Sequence, residues 1–181
     1  MIEIRSEFPQ DVPARERLLD ACFPGNRRAK TSERLREGRL PARGLAFAAT
    51  RRGRLVGTLR LWHVEAGEGC PALLLGPLAV DPSIQGQGLG SVMMQAAIGR
   101  AEALGHGAIL LMGDAPYYAR FGFREDPAAG LAMPGPFERD RFLGLELREG
   151  ALMGAEGILR PTGLPEPLPA AVGVGGRRRA A

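Results

Sequence analysis

The sequence predicts one α/β (α+β) domain, a mixed sheet flanked by helices, and three observations carry that reading. Short apolar runs of strand length alternate with helix-period segments in the order βααβββαβαββ, with one helix crossing between central strands. A buried strand over Ala72 to Val80 runs through a Gly-rich turn straight into an amphipathic helix. The composition, 45% hydrophobic and 24% charged over 181 residues, is that of an ordinary folded domain with room for one full core.

Taken in order, Met1 to Arg5 reads as a short strand, without the basic start and long apolar run of a signal peptide. Asp11 to Cys22 opens with a capping residue and Pro13, then sets Leu18, Leu19 and Cys22 on one helical face. Thr31 to Arg39 reads as a second, more polar helix closed by Gly38 and Pro41. Leu45 to Thr50 and Leu55 to Val64 flank Arg51-Arg52-Gly53-Arg54, a hairpin signal. After the loop Glu65 to Pro71 comes the run Ala72 to Val80, where Pro77 implies a bulge or an edge. The next helix places Leu89, Val92, Met93, Ala96, Ala97, Ala101 and Leu104 at 3.6-residue spacing and stops at Gly105. Ala108 to Met112 is a short buried strand, and Tyr117 to Phe121 one or two helical turns ended by Gly122. Phe142 to Leu147 and Ile158 to Arg160 complete the strands. From Pro161 prolines and glycines crowd the chain, so residues 161–181 read as a flexible tail beyond a domain of residues 1–160.

The sharpest chemical signal is the turn Asp81-Pro82-Ser83-Ile84-Gln85-Gly86-Gln87-Gly88-Leu89-Gly90-Ser91. Glycines let successive N–H groups converge on an anion, and the free amides and dipole of a helix N-terminus favour phosphate there. A nucleoside triphosphate loop needs Gly-Lys-Ser/Thr, and Gly90-Ser91-Val92 lacks the lysine. A dinucleotide fingerprint needs a third glycine where Ser91 stands. A glycine-rich turn that binds nothing is the bland alternative.

The run Gln85-x-x-Gly88-x-Gly90 resembles the Gln/Arg-x-x-Gly-x-Gly/Ala motif of the GNAT acyltransferase superfamily. A second segment, Asp114-Ala115-Pro116-Tyr117-Tyr118-Ala119-Arg120-Phe121-Gly122-Phe123, is similar to the family's tyrosine four residues before Gly-Phe, with Tyr118 in that place. The resemblance covers Met1 to about Arg160 and is closest to the YhbS-like branch, where Asp-x-Pro-Tyr-Tyr and Arg-Phe-Gly-Phe also occur. It implies a mostly antiparallel sheet whose central strands splay apart, and an acetyl-CoA-dependent N-acetyltransferase that needs no metal. It also implies that Gln85, Gly86, Gln87, Gly88, Gly90 and Ser91 hold the coenzyme pyrophosphate, while the main chain at Leu78 and Val80 pairs with the pantetheine arm. Tyr118 is then the general acid for the leaving thiolate: a phenol, with a reference pKa near 10, is protonated at neutral pH. Tyr117 reads as packing. Many family members carry asparagine near Asp114, so Asp114 stays outside the coenzyme set.

The base and the acceptor are less legible. His63, Glu65 and Glu68 stand at a strand end or in the following loop, and His63 reads equally well as an exposed strand-end residue. By resemblance, Phe23 to Leu40 and Gly150 to Gly157 border the acceptor channel. Arg27, Arg28, Arg34, Arg36 and Arg39 could meet an acidic substrate or the coenzyme's 3′-phosphate, or form a solvated face. Small amines, antibiotics, peptide N-termini and protein lysines all fit.

The formal charge is +4, but without Arg177, Arg178 and Arg179 it is 21 basic against 20 acidic residues, so no nucleic-acid partner is implied. No run of 18 apolar residues suggests a membrane partner, and Cys22 and Cys70 make neither a metal spacing nor a disulfide framework. A cytoplasmic home follows by default, and a homodimer is left open. Two other functional classes compete with catalysis: a non-catalytic acyl-CoA-binding module, and an interaction protein acting through its Arg-rich end.

Overall fold

A computed structural model describes residues 1–167. Its main sheet is built from β1 (Ile2–Ser6), β2 (Ala46–Arg51), β3 (Arg54–Glu65), β4 (Pro71–Val80), β5 (Ala108–Met112) and β7 (Phe142–Glu146), side by side in that order. All neighbours are antiparallel except β4 and β5. A parallel pair needs a crossover, and α2 (Leu89–Ala103) supplies it. A small parallel pair, β6 (Leu131–Ala132) with β8 (Gly157–Ile158), lies apart, and β9 (Arg160–Pro161) adds to the end of β3. The mixed, mostly antiparallel sheet flanked by helices is the architecture that the sequence predicts.

Apolar residues cover both faces of this sheet, which is why β4 and β5 read as continuous apolar runs. On one face Leu59, Leu61, Leu73, Leu75, Ile109 and Leu111 pack against Met93, Met94, Ala97 and Ala101 of α2. On the other, Trp62, Val64, Leu74, Leu110 and Phe142 lie under Leu35, Leu131 and Leu159. Leu18 and Leu19 of α1 (Val12–Cys22) cover Ala48, Leu55 and Ala79. Val92 and Leu104, read from periodicity as part of the α2 face, are 53% and 42% exposed, whereas Met94 is buried. The buried stripe therefore runs through Leu89, Met93, Met94, Ala97 and Ala101, rotated away from Val92.

Three expectations need correction. Thr31 to Arg39 is not a second α-helix but a 3-10 stretch, Thr31–Leu35, preceded by another at Arg27–Ala29. Only Leu35 there is buried, so no apolar stripe exists to hold a longer helix. The predicted last strand divides, Gly157–Ile158 pairing with β6 and Arg160–Pro161 with β3. Residues 161–167, assigned by composition to a tail, dock: Thr162 N–H donates to the His63 carbonyl at 3.1 Å, Leu40 N–H to Leu164 at 2.8 Å, and Glu166 N–H to Gly38 at 2.8 Å. The rest of that expected tail, 168–181, lies outside the described residues.

The sheet's first half is tied to α1 by a buried carboxylate. Glu7, directly after β1, accepts from Arg15 of α1 at 2.5 Å and from Arg60 of β3, and its side chain is only 6% exposed. Arg60 lies between Leu59 and Leu61, where the β3–β4 register shifts. Opposite this one residue β4 carries two, Gly76 and Pro77, a bulge at the position that proline announced. The indole of Trp62 donates to the Gly76 carbonyl at 2.6 Å, which satisfies the acceptor that the bulge takes out of the ladder.

Docking of the C-terminal segment has a measurable consequence. A chain ending at Ile158 loses buried Leu159 and the backbone pairs of Thr162, Leu164 and Glu166; one ending at Pro167 keeps them. A buried leucine contributes about 1.5–3 kcal/mol and each net hydrogen bond about 1 kcal/mol. At ~2–4 °C per kcal/mol the shorter chain should melt roughly 10 °C below the longer. Equal midpoints in thermal denaturation would show that the segment contributes nothing.

Candidate active site

At the end of β4 the chain turns through Pro82–Ile84 and enters α2 by way of two glycines, Gly86 at φ +78° and Gly88 at φ +86°. Side chains rarely adopt that region, so the turn requires glycine at both places. Asp81 shapes the start: its carboxylate accepts from Ser83 N–H at 2.9 Å, Ser83 Oγ at 2.7 Å and Arg54 at 2.6 Å. The Ser83 hydrogen bonds hold the Asp81 carboxyl below its usual range. Gln85 Nε2 closes the loop on the Val80 carbonyl at 3.0 Å. Val92 N–H, bonded to the Gly88 carbonyl at 3.1 Å, begins the helical ladder, and the amides of Leu89, Gly90 and Ser91 find no acceptor among the described residues. A Cβ on Gly86 or Gly88 would meet nothing within 4 Å, so the ground in front of these amides is open.

The neighbouring gap arises from strand geometry. β4 and β5 pair only at Leu73–Ile109 and Leu74–Leu110. Beyond the bulge β4 stays with β3 as far as Val80, while β5 stays with β7 through Met112 and Phe142, so the two halves of the sheet diverge. Asp81 N–H donates back to Val56 of β3 at 2.9 Å. Main-chain direction alternates along a strand, so Leu78 and Val80 turn their N–H and C=O groups the other way, into the gap.

Tyr118 closes the same gap from the β5 side. α3 (Ala115–Ala119) is capped by Asp114, whose carboxylate accepts from Tyr117 N–H at 3.1 Å; Asp114 is therefore a helix cap. A Cβ on Gly113 would fall 2.1 Å from the Tyr118 ring, so only glycine lets the ring fold over the strand end. The ring meets Phe123 and Tyr117 edge-on, with centroids 6.0 and 4.9 Å away. Its hydroxyl has no hydrogen-bond partner among the described residues, and Tyr118 lines the cleft. Burial pushes the Tyr118 phenol up to about 12, with Tyr117 and Asp114 adding to the rise and Arg141 opposing it. Tyr117 packs beneath the Arg120 guanidinium at 4.4 Å. A Cβ on Gly90 would stand 3.1 Å from the Tyr117 hydroxyl and under 4 Å from the Leu78 and Val80 side chains. Leu78, Val80, the Gly86–Ser91 turn and the tyrosine pair thus come together at one end of β4.

From this point a cleft of about 810 Å³ extends along β4. Its far wall comes from Lys30 to Arg36 and from Met133 to Arg141, two segments joined by Arg34 to the Pro134 carbonyl at 2.6 Å and by Thr31 to Pro136. Of the segment Phe23 to Leu40, expected to border the acceptor channel, Phe23, Ala29 to Ser32 and Arg36 line this cleft. Gly150 to Gly157 is not part of it: that loop lines a separate depression with Asp126 and Pro127. The Met133–Arg141 wall escaped sequence reading, since Pro134-Gly135-Pro136 marks a loop but not the strand end over which it folds. His63, Glu65 and Glu68 line no part of the cleft; His63 faces His106 with centroids 5.4 Å apart, and Glu65 accepts from Gly69 N–H at 3.1 Å. Arg27 pairs with Asp20 and Glu16, and Arg39 binds the Gly163 carbonyl, so of the arginine run Arg36 alone lines the cleft. The Cys22 and Cys70 thiols donate to the Val80 and Ala151 carbonyls, each at 3.2 Å. Among the described residues no helix is long and apolar enough to cross a membrane.

Comparison with known proteins agrees with this geometry. The family model described as an acetyltransferase (GNAT) domain matches residues 42–125, from just before β2 to just past α3. The chain is 31% identical over 157 residues to the uncharacterized N-acetyltransferase YhbS of Escherichia coli strain K12, covering 86% of this chain and 93% of that protein. The crystal structure of Escherichia coli YhbS in complex with CoA superposes with a TM-score of 0.75 at 30% identity, covering 88% of this chain and 89% of that one. A GNAT family acetyltransferase from Brucella melitensis in complex with acetyl-CoA gives a TM-score of 0.62 at 27% identity, covering 81% and 88%. With its strands splayed beside a glycine-turned helix start, and with a relative of this identity over nearly its whole length, the chain belongs to the GNAT family of acetyltransferases.

Proposed function

We propose that this protein transfers an acetyl group from acetyl-CoA to a primary amine by direct attack, with Tyr118 as general acid. The observation that carries the reading is the meeting of two features at one end of β4. One is a helix start with open amides at Leu89, Gly90 and Ser91; the other is the unpartnered Tyr118 hydroxyl in the gap beside Leu78. The fit to coenzyme A is chemical. Free amides and a helix dipole suit a pyrophosphate, and the outward main chain of Leu78 with the Val80 N–H suits an amide-bearing arm. Acetyl-CoA supplies the thioester.

In this reading Gln85 to Ser91 fix the phosphates, and Leu78 and Val80 align the arm along β4. The amine nitrogen bonds to the acetyl carbon as the carbon–sulfur bond breaks. Tyr118 gives its proton to the sulfur, and the proton shed by the amine returns through solvent to restore the phenol. Burial that keeps the phenol protonated also raises the proton affinity of a thiolate formed beside it. The amine is captured in its neutral form or loses its proton to water.

Coenzyme binding is tested by melting temperature. At 100 times Kd a ligand of the native state adds about 2.7 kcal/mol, so millimolar acetyl-CoA should raise the midpoint by several degrees. Ser91→Glu is the informative variant: glutamate in a helix's first turn is well tolerated, yet its charge faces the phosphate. The free protein should melt as before, with the coenzyme shift gone. No shift in the unaltered protein would remove the basis of the proposal.

The acid is tested by Tyr118→Phe, which keeps ring and packing. The expected result is unchanged coenzyme affinity and kcat lower by about 10²–10⁴-fold, with Tyr117→Phe far milder. Wild-type turnover in Tyr118→Phe, with chemistry rate-limiting, would place the acid elsewhere.

The pH profile follows from the phenol at about 12. The protonated form needed for catalysis persists below that value. kcat/KM should therefore rise as the amine deprotonates and show no falling limb up to about pH 10. A decline with an apparent pKa near 9 that Tyr118→Phe abolishes would contradict the assignment.

A further inference from the structure

The cleft is lined by charged side chains that differ in how firmly they are paired. Three cations line it, Lys30, Arg36 and Arg141, against two carboxylates, Asp114 and Glu138. The partners are unevenly committed. Arg36 is held by Glu33 at 2.7 Å with its side chain 10% exposed, so it belongs to the wall. Asp114 has one oxygen engaged by the Tyr117 amide as a helix cap. Glu138 touches Arg141 only at 3.5 Å, with side chains 68% and 50% exposed, which is a loose surface pair. Lys30 makes no ion pair among the described residues; its ammonium rests over the Phe23 ring at 4.8 Å. It is also the chain's single lysine.

Arg141 is fixed where the chemistry is proposed. Its carbonyl accepts from Gly113 N–H at 2.9 Å, beside the ring of Tyr118. Its charge lowers the Tyr118 phenol, against the larger effect of burial. The same cleft is lined by Phe23, Met112, Met133 and Phe137, apolar surface for the body of a substrate.

We infer that the acceptor is an acidic amine with an apolar body, of the amino-acid type, whose carboxylate is received by Arg141 and Lys30. The inference rests on the acetyl-transfer reading and narrows its substrate. A guanidinium and an ammonium without strong internal partners attract a carboxylate, and Arg141 offers it a bidentate fork. The same two charges repel polycationic amines, because no uncommitted buried carboxylate stands among the described cleft residues to receive a second ammonium. They also favour loss of the proton from the acceptor's ammonium, the form that must be neutral to attack.

The test uses the full chain with acetyl-CoA and three matched pairs that differ by one carboxylate. These are phenylalanine with phenethylamine, tyrosine with tyramine, and leucine with 3-methylbutylamine; spermidine serves as the polycation. Thiol release and product mass are the readouts. The acid of at least one pair should exceed its decarboxylated partner by roughly tenfold or more in kcat/KM, with spermidine poorest, as a charge-assisted contact would give. Lys30→Gln should cost the acid about 10–100-fold, chiefly through KM, and leave the decarboxylated amine nearly unchanged, while Arg141→Gln, beside Tyr118, should cost the acid clearly more than the amine. Arg141→Lys should recover part of the loss. A merely structural role would lower both members of a pair alike. Because each variant is compared on one substrate, the intrinsic basicity of the amine drops out. Preference for the decarboxylated amines or for spermidine overturns the inference, as does turnover of none of the seven compounds. The coenzyme-induced rise in melting temperature tells these failures apart from failure of the acetyl-transfer reading: if the rise persists, only the acceptor class is wrong.

Discussion

The bulge at Gly76 and Pro77 is the constraint on which the site depends. Proline has no N–H to give the ladder, so β4 cannot keep step with β3 and passes two residues where β3 passes one. The strand bends there, and the bend carries its second half away from β5. Were the pairing regular, the amides of Leu78 and Val80 would bond to β5, and the sheet would close where a substrate has to lie. An open edge in the middle of a sheet exposes unpaired main chain, which is costly unless something satisfies it. Here the Trp62 indole takes the Gly76 carbonyl, and Gln85 and Cys22 take that of Val80.

The gap is held open from both sides by packing. Leucines at 59, 61, 73 and 75 and the methionines of α2 fill one face, so the divergence is anchored on a rigid layer. On the other face the buried Glu7 between Arg15 and Arg60 ties α1 to the strand opposite the bulge. Three charges in so dry a place are tolerated because each finds a partner, and losing one would leave the others costly. The geometry of the gap therefore has support from layers that touch no part of the cleft.

Close approach is the second recurring theme. Gly113 makes room for the Tyr118 ring, and Gly90 brings the first turn of α2 against Tyr117. These two glycines bring the start of α2 against Tyr117 and the Tyr118 ring over the end of β5, although 27 residues and a whole strand lie between Gly90 and Tyr118. The loop Met133–Arg141 then completes the cleft and contributes Arg141, whose charge lowers the phenol that burial raises.

Much of this was legible in the chain because the signals are local. The Gly86–Gly88 turn must adopt positive φ, Pro77 must break a ladder, and Leu89, Met93 and Ala97 recur at helical spacing, whatever surrounds them. Tyr118 stood out by its place before Gly122-Phe123. The failures were all matters of what packs on what. Thr31 to Arg39 is helical in composition but has only Leu35 to bury, so it forms a 3-10 stretch. Residues 161–167 look like a linker, yet their backbone finds partners at Gly38, Leu40 and His63. The Met133–Arg141 wall and the misplaced Gly150–Gly157 loop differ only in which strand end each happens to cover. Sequence determines backbone preference and apolar period residue by residue. Which segment roofs the cleft, and which charges stay uncommitted inside it, depends on contacts between residues about 100 positions apart, such as Arg34 with Pro134, and only the tertiary structure decides those.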